Sequence, residues 1–365
     1  MLLIGVDASA LVKQRTGVGN YIYSILYELV KHSKHDFYLY SNQDIFFPAF
    51  KNIHFRVSKP YRKGPLWQNT QLRSMVIEDA IDVFWAGNGY LPLGLPAEMG
   101  TVLTVHDLVY RQAGATMPWF SRWSRRIFQP LSVKLANSVV AVSQATAAEM
   151  ERYYHRAPDV VIHPQIDPVY GLVDLAEQSA VRYKYDLNDT FLLVIGTLEP
   201  RKNLENLVQA WLMLEEAGVK TPLLAIAGGK GWLDGKLAKL VSVGESKGII
   251  KKLGFVAQED MRGLYAAADC FILPSLYEGF GMPALEAQLC GTPIMVSDIP
   301  SLREASGGIA CFFEPNLNGI KKALGDYLSQ CQPLVCRLPN TVSNDPQLAC
   351  MQMMHLFNKS IKRDK

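Results

Sequence analysis

Short apolar runs that alternate with stretches of helical spacing restrict the fold of this 365-residue chain more than any other feature. The first run is 2–6, and the stretch 19–31 that follows places Tyr21, Ile25 and Leu29 on one helical face. Apolar strands joined by crossover helices form parallel sheets. The pattern therefore predicts an α/β fold. Further apolar runs in this first series are 37–40, 83–85, 102–105 and 138–142.

The alternation stops between residues 163 and 188 and then starts again. Pro164, Pro168 and a polar stretch up to Asp189 interrupt it. A chain of this length is too long for one ordinary core and about right for two. We therefore predict two Rossmann-like domains, 1–168 and 169–330, that face each other across a cleft. Residues 331–365 are predicted to be an irregular tail with a possible closing helix. The second series of runs is 191–195, 223–227, 249–253, 270–273, 293–296 and 311–313.

Composition and charge exclude several classes of protein. The net charge of +3 is too small to favour a nucleic-acid binder. No basic region precedes the apolar N-terminus, and no apolar run approaches the roughly 18 residues that a spanning helix needs. The cysteines form no CxxC pair, so reduced thiols in a cytoplasmic protein are expected. These cysteines are Cys270, Cys290, Cys311, Cys331, Cys336 and Cys350.

The segment 275–287, S-L-Y-E-G-F-G-M-P-A-L-E-A, follows an apolar strand and combines glycines with two carboxylates. Gly279 and Gly281 allow a tight loop, and Pro283 suits the first turn of a helix. The free N–H groups of such a helix start favour an anion. Glu278 and Glu286 would repel that anion unless they bind something else, and sugar hydroxyls meet that need. The alternative is a pair of surface carboxylates on a helix.

The segment 196–203, G-T-L-E-P-R-K-N, places two cations just after another apolar strand. Arg201 supplies a planar fork and Lys202 a compact charge, which together can hold a diphosphate. They could instead be ordinary residues of a first helical turn, although cations there oppose the helix dipole. The sequence contains no Asp-x-Asp and no His/Cys metal spacing. We therefore predict a diphosphate site that works without a metal ion or a cofactor.

These two segments strongly resemble the retaining GT-B glycosyltransferases of family GT4. The resemblance extends through L-G-F-V at 253–256, T-G-V-G-N-Y at 16–21 and T-V-H-D-L at 104–108. Within the family, the chain is most similar to bacterial mannosyltransferases of polysaccharide and O-antigen assembly. This resemblance implies transfer of a hexose, mannose by preference, from a nucleoside-diphosphate sugar to a glycan or lipid-linked glycan. One departure is the C-terminus, which matches poorly the closing helix with which family members often end.

The resemblance also implies a role for each matching residue. Arg201 and Lys202 would contact the donor diphosphate, Glu286 the ribose hydroxyls and Glu278 the transferred sugar. His106 would lie near that sugar. A lone histidine is more often part of a core, but its position directly after the strand 102–105 favours the site. Asp107 is expected to be structural. The remaining donor-binding residues would be Gly17, Gly19, Val256, Gly279, Phe280, Gly281 and Met282.

Two further predictions concern partners. The acceptor is expected near Asn88, Gly89 and Tyr90, because these residues follow a strand. The run 117–128 mixes aromatic residues with arginines and is typical of a helix on an anionic membrane. The alternative is an ordinary amphipathic helix packed on the first domain, with its arginines in solvent. The arginines of this run are Arg122, Arg125 and Arg126.

Two other functions stay open. A GT-B enzyme could hydrolyse or epimerise a nucleotide sugar, and a non-catalytic relative could bind sugars or serve as an assembly scaffold. The E-x7-E loop argues against the first, and the presence of both cations, both carboxylates and His106 argues against the second. A nicotinamide dehydrogenase is disfavoured because the chain has no G-x-G-x-x-G fingerprint.

Overall fold

The computed structural model describes residues 1–58, 64–196, 199–229, 235–329 and 345–361. The chain divides into two compact units. Unit 1 comprises Met1–Gln165 with Ser343–Lys365, and unit 2 comprises Ile166–Val342. The division falls three residues before the predicted boundary, because Ile166 packs in the core of unit 2.

Strands and helices alternate along both units. The strands are β1 Leu3–Asp7, β2 Asp36–Ser41, β3 Ile53–Val57, β4 Val83–Ala86, β5 Gly100–Val105, β6 Ser138–Ala141, β7 Val160–Val161, β8 Phe191–Ile195, β9 Leu223–Ala227, β10 Ile250–Gly254, β11 Cys270–Leu273, β12 Ile294–Ser297 and β13 Cys311–Phe313. The helices are α1 Gly17–His32, α2 Pro65–Trp67, α3 Arg73–Glu78, α4 Val109–Gln112, α5 Trp119–Leu135, α6 Gln144–Tyr154, α7 Leu175–Lys184, α8 Leu204–Glu216, α9 Gly235–Ser246, α10 Gln258–Ala267, α11 Met282–Leu289, α12 Pro300–Ala305, α13 Leu317–Ser329 and α14 Pro346–Ser360.

Each unit contains one parallel sheet, and the two sheets have the same strand order. Unit 1 has the order β3-β2-β1-β4-β5-β6-β7, and unit 2 has β10-β9-β8-β11-β12-β13. In both, the order reverses beside the first strand, between β1 and β4 and between β8 and β11. Open sheets of this kind bind ligands beyond the carboxyl ends of the strands at that reversal. The predicted fold class, two Rossmann-like α/β domains, is confirmed.

Apolar layers cover both faces of each sheet. In unit 1 one layer includes Ile4, Ile25 and Trp85, and the other is built around Phe84 and Leu103. Strand residues that alternate in direction feed the two layers, which explains the near-continuous apolar runs of the sequence. In unit 2 the corresponding layers lie around Phe271 and Leu285 on one face and Trp211 and Ile272 on the other.

The C-terminal helix α14 belongs to unit 1, not to a separate tail. Asp345 caps it by accepting the N–H groups of Gln347 and Leu348 at 3.0 Å. Met353 and Phe357 are buried in the core of unit 1, and the Phe357 and Trp85 rings lie 6.3 Å apart. The expected departure from the family's closing helix is thus corrected, because the apolar side of α14 packs on α1 and β5. The predicted tail residues Cys331 and Cys336 lie outside the described residues.

Two general predictions can be compared with the described residues. Cys270, Cys290, Cys311 and Cys350 are free, in agreement with the expectation of thiols. Among the described residues, no helix is both long and apolar enough to cross a membrane.

Candidate functional site

The loops after β8 and β11 come together at the reversal of the unit 2 sheet. Arg201 and Lys202 end the 3-10 turn that follows β8, and Glu278 lies in the loop after β11. The Leu276 N–H donates to the Arg201 carbonyl at 2.9 Å and joins the two loops. The structure therefore brings Glu278 to Arg201 and Lys202, which lie 77 and 76 positions before it in sequence. Thr197 and Leu198, in the same segment, lie outside the described residues.

Glu278 forms the centre of this cluster. Lys202 Nζ donates to Glu278 Oε1 at 2.6 Å, and Arg201 Nη1 donates to Glu278 Oε2 at 2.7 Å. Ser275 Oγ also donates to Oε1, at 2.6 Å. Burial raises the pKa of Glu278, but Lys202 and then Arg201 outweigh it and lower the pKa to about 2. Glu278 is therefore a carboxylate at neutral pH, although only 9% of its side chain is exposed.

Arg201 is held on several sides. Its Nη1 also donates to the Tyr277 carbonyl at 2.8 Å, and its Nη2 donates to Glu199 Oε1 at 2.5 Å. The cluster thus contains two cations, Arg201 and Lys202, and two carboxylates, Glu199 and Glu278. The charges of these four side chains balance, and the Glu278 oxygens accept hydrogen bonds from both cations.

The glycine loop before α11 is shaped by close packing. Gly281 has φ +117°, and a Cβ there would lie 2.4 Å from Leu302 Cδ2. Pro283 occupies the first turn of α11, as predicted. Phe280 is buried in the core, whereas Gly279 and Met282 are partly exposed beside the turn. The loop backbone can therefore approach a ligand at the start of the helix.

Glu286 lies inside α11, where its surroundings differ from those of Glu278. Its Oε2 accepts the Tyr265 hydroxyl at 2.9 Å. Burial raises the pKa of Glu286 to about 7, outweighs the Tyr265 hydrogen bond and is reinforced by Asp167. The pKa values of the two glutamates of the E-x7-E pattern are therefore shifted in opposite directions, down for Glu278 and up for Glu286. Val256, which follows β10, is buried in the same apolar layer of unit 2.

In unit 1, the edge where the strand order reverses between β1 and β4 carries neutral polar side chains that are hydrogen-bonded to the buried Asp7. Asp7, at the end of β1, is fully buried, and Asp7 Oδ1 accepts Ser9 Oγ at 2.6 Å. Asn88 Nδ2 donates to the same Ser9 hydroxyl at 2.7 Å. Gln68, from a π-helical turn, donates to Asp7 Oδ2 at 3.3 Å. Burial raises the pKa of Asp7, although these hydrogen bonds oppose the shift.

His106 follows β5 at the same edge of unit 1. Its Nε2 lies 2.7 Å from the Gly87 carbonyl, which can only accept, so Nε2 carries the proton. Burial lowers the pKa of His106, and the neutral ring therefore presents Nδ1 as an acceptor. The Tyr21 ring contacts it edge-on at 5.1 Å. Asp107 Oδ1 accepts the Val109 N–H at 3.1 Å just before α4, in keeping with the structural role expected of this residue.

The remaining residues predicted for the unit 1 site are three glycines and Tyr90, and their surroundings differ. Gly19 has a steric reason to be glycine, since a Cβ would lie 2.4 Å from the Ala10 carbonyl oxygen. A Cβ on Gly17 would meet nothing within 4 Å, so packing gives no reason for that glycine. Gly89 has φ +88° and forms the turn after β4. Burial raises the pKa of the neighbouring Tyr90 to about 12.

The sequence argument missed the residues that hold these clusters. None of Asp7, Ser9, Glu199, Ser275 and Tyr265 was predicted as a site residue. A signal was present for Glu199 and Ser275, because both lie inside the two segments already chosen. No group of three or more His, Cys, Asp or Glu side chains that could hold a metal occurs in the part of the chain that the structure describes.

Two family models match the chain. The model for group 1 glycosyl transferases matches residues 177–320, and the model for glycosyltransferase family 4 matches residues 15–170. The O-antigen chain mannosyltransferase B of Escherichia coli is 38% identical over 253 residues, which are 67% of this chain and 64% of that protein. The serotype-specific mannosyltransferase WbdA of E. coli is 33% identical over 187 residues, 50% of this chain and 23% of that protein. The chain thus matches less than two thirds of the length of either relative.

Solved structures give the same fold over the whole chain. Sucrose-phosphate synthase from Thermosynechococcus elongatus superposes with a TM-score of 0.72 and 16% identity, and the match covers 98% of this chain and 99% of that one. The two family models together cover most of both units. The chain belongs to the group 1 glycosyltransferases of family 4, which have the GT-B fold.

Proposed function

We propose that this chain is a retaining glycosyltransferase of bacterial polysaccharide biosynthesis. It transfers a hexose, mannose by preference, from a nucleoside-diphosphate sugar to a glycan or lipid-linked glycan. The observation that carries the proposal is the buried Arg201–Lys202–Glu278 cluster at the sheet reversal of unit 2. The relatives named as mannosyltransferases, one of them of the O-antigen chain, support the choice of sugar.

In the proposed reaction, Arg201 and Lys202 bind the donor diphosphate. As it enters, Glu278 exchanges hydrogen bonds from these cations for one from a hydroxyl of the transferred sugar. The same cations then stabilise the charge that develops on the departing nucleoside diphosphate. Preorganised charge of this kind is worth on the order of 3 kcal/mol for each donor. No metal ion and no cofactor is needed for this step, and we assign no enzymic nucleophile.

The remaining donor contacts follow from the second carboxylate and the loop. Glu286 accepts the ribose hydroxyls, and backbone groups near Val256 bind the base. Backbone groups of Gly279, Phe280, Gly281 and Met282 line the sugar and the phosphates. Gly17 and Gly19, which the sequence predicted in a loop and the structure places in the first turn of α1, would allow a close approach of the backbone to the diphosphate.

The acceptor and the transferred sugar use the neutral edge of unit 1. His106 accepts a sugar hydroxyl at Nδ1, because Nε2 is occupied by the Gly87 carbonyl. Asn88 and Tyr90 bind the acceptor, and the Asp7–Ser9 pair fixes the position of Asn88. Neutral groups suit this task because a glycan carries hydroxyls and no charge.

The working location follows from the acceptor. Lipid-linked glycans of bacterial polysaccharides are elongated at a membrane, so the chain acts in the cytoplasm at the inner face of the cytoplasmic membrane. Peripheral contact with anionic lipid would keep the acceptor within reach. Hydrolysis or epimerisation of the donor, and a purely structural role, are less favoured because the named relatives are transferases.

A ligand screen tests the donor assignment. Thermal unfolding is measured with GDP, UDP and ADP and with their common sugar conjugates, in the presence of a chelator. We expect stabilisation by one base, guanine for a mannose donor, because a ligand that binds only the folded state raises the midpoint. Lys202→Ala should abolish the shift, whereas the exposed Lys247→Ala should retain it. A response that persists in Lys202→Ala would place the nucleotide elsewhere.

A further inference from the structure

The outer side of α5 is an apolar surface that the other described residues leave exposed. Trp119 is 74% exposed, Trp123 58% and Ile127 49%. These residues recur every four positions, and the remaining exposed apolar side chains continue the same side. At 100° per residue the whole set lies within an arc of about 160°. The further members are Phe120, Leu131 and Leu135.

The charges around this surface are of one sign. Arg122, Arg126 and Lys134 are exposed on the same helix, and α5 contains no Asp or Glu. At 100° per residue, Arg122 and Arg126 lie beside the apolar arc and Lys134 lies within it. An apolar helix side with tryptophans and basic side chains, without acidic ones on the same helix, complements an anionic lipid bilayer. A second protein surface would not need this one-sided charge. The ordinary amphipathic helix considered from the sequence would bury its apolar side, and here that side faces solvent.

The opposite side of α5 holds the two loops that carry the proposed acceptor and sugar contacts. Arg125 Nη1 donates to Asp107 Oδ1 at 3.1 Å, and Gln129 Nε2 donates to the Asp107 carbonyl at 2.9 Å. One turn later, Ser132 Oγ accepts the Leu91 N–H at 3.0 Å. Asp107 directly follows His106, and Leu91 directly follows Tyr90. A single helix therefore connects the uncovered surface to both loops.

We propose that α5 docks on an anionic lipid bilayer through its outer side and that docking steadies the His106 and Tyr90 loops through its inner side. The docking surface does not depend on the proposed function, which only names what the two loops bind. An enzyme built this way is most ordered, and most active, when it lies on the membrane that holds its acceptor.

Vesicle sedimentation tests the docking surface. The full chain is mixed at low salt with vesicles of phosphatidylcholine alone or of phosphatidylcholine with phosphatidylglycerol. We expect binding to the anionic vesicles only. Trp119→Ala/Trp123→Ala should abolish it, and Arg122→Ala and Arg126→Ala should each weaken it about fivefold, the effect of about 1 kcal/mol per basic residue. Tyr183→Ala, which removes an 87% exposed aromatic of unit 2, is the matched control and should bind normally.

Amide hydrogen exchange on the same vesicles tests the connection. We expect slower exchange in peptides covering 86–92 and 105–112 when the wild type docks. Gln129→Met keeps the outer side and the charge of α5, so it should bind vesicles and yet lose this slowing. Absence of anionic-vesicle binding, or unchanged binding in the tryptophan variant, overturns the docking surface. Docking without slower exchange overturns the connection, and a dimer that the tryptophan variant disrupts assigns the surface to a second copy. None of these readouts requires donor binding or transfer, so they fail independently of the proposed function.

Discussion

The two units have the same strand order but opposite chemistry at the edge where that order reverses. In unit 2 the edge carries Arg201 and Lys202 on a carboxylate whose pKa is about 2. In unit 1 the edge carries Ser9, Asn88 and a neutral His106, while Asp7 is fully buried and Asp107 is paired with Arg125. The shared sheet fixes where side chains meet, and the loops after the strands fix what they bind. The difference matches a charged donor and an uncharged acceptor.

Removal of a cation from the unit 2 edge is the strongest test of this contrast. We expect Lys202→Ala or Arg201→Ala to weaken donor binding and to lower turnover about a hundredfold, the effect of losing one charge-stabilising group. Steady-state kinetics with the donor identified by the ligand screen provide the measurement. Lys247→Ala, which removes an exposed ion pair of the same unit, is the control. Near-normal kinetics in both site variants would contradict the diphosphate assignment.

The pKa of Glu286 gives the next largest effect. Because burial raises this pKa to about 7, the ionised fraction grows from about a tenth at pH 6 to about nine tenths at pH 8. If ribose binding uses the carboxylate, nucleotide affinity should rise about tenfold over this range. Calorimetry on wild type and Glu286→Gln separates this from titration of the ligand, since both proteins meet the same nucleotide. Parallel pH profiles would remove Glu286 from the ribose site.

The raised pKa of Glu286 also affects the stability of the fold, which should fall as the pH rises, whereas nucleotide affinity should increase. The folded state favours protonated Glu286, so this group stabilises the fold at pH values below its ordinary pKa. That contribution is lost as the pH rises through about 7. Glu286→Gln should therefore gain stability relative to wild type between acid pH and pH 7, and the gap should level off above. Chemical denaturation at several pH values measures it.

A smaller effect is expected at the neutral edge. Asn88→Ala removes one neutral hydrogen-bonding side chain, which is worth about 1 kcal/mol. The acceptor KM should therefore rise about fivefold, whereas nucleotide affinity should not change. Initial rates at varied acceptor concentration and calorimetry with the nucleotide provide the two readouts. A loss of nucleotide affinity in Asn88→Ala would show that the two edges do not divide the substrates in this way.

Removal of divalent metal ions should have no effect on the transfer rate, which is the smallest effect expected here. If Arg201 and Lys202 supply all the charge that the departing diphosphate needs, a chelator should leave the transfer rate unchanged. Rates measured before and after chelation, and after addition of Mg²⁺ or Mn²⁺, check this. Activity that a chelator removes and a divalent ion restores would contradict the metal-free mechanism.

Most of the fold was predictable because its signals are local. The runs 191–195, 223–227, 270–273 and 311–313 coincide with strands of the structure. The strand β3 was missed because Ile53–Val57, I-H-F-R-V, mixes polar and apolar residues at the edge of the sheet. The strand β7 was missed because it has only two residues. An edge strand needs no continuous apolar run, since one of its sides is unpaired.

The candidate site was predictable only in part. The spacing of Arg201, Lys202, Glu278 and Glu286 is visible in the sequence, and so is their position after strands. Their electrostatics are not visible, because a pKa depends on burial and on charges far away in the chain. Asp7 shows the limit most clearly, since its partner Gln68 is 61 positions away.

The sequence by itself determined the parallel α/β architecture, its restart near residue 190 and the residue types that we propose to bind a diphosphate and sugar hydroxyls. Strand and helix periods are local properties, and the order of strands then decides which loops share an edge. Only the tertiary structure decided that the pKa of Glu278 is lowered and that of Glu286 raised, that α14 packs in unit 1, and that the described residues leave the aromatic side of α5 exposed. Burial and long-range pairing set these properties, and neither can be read from neighbouring residues.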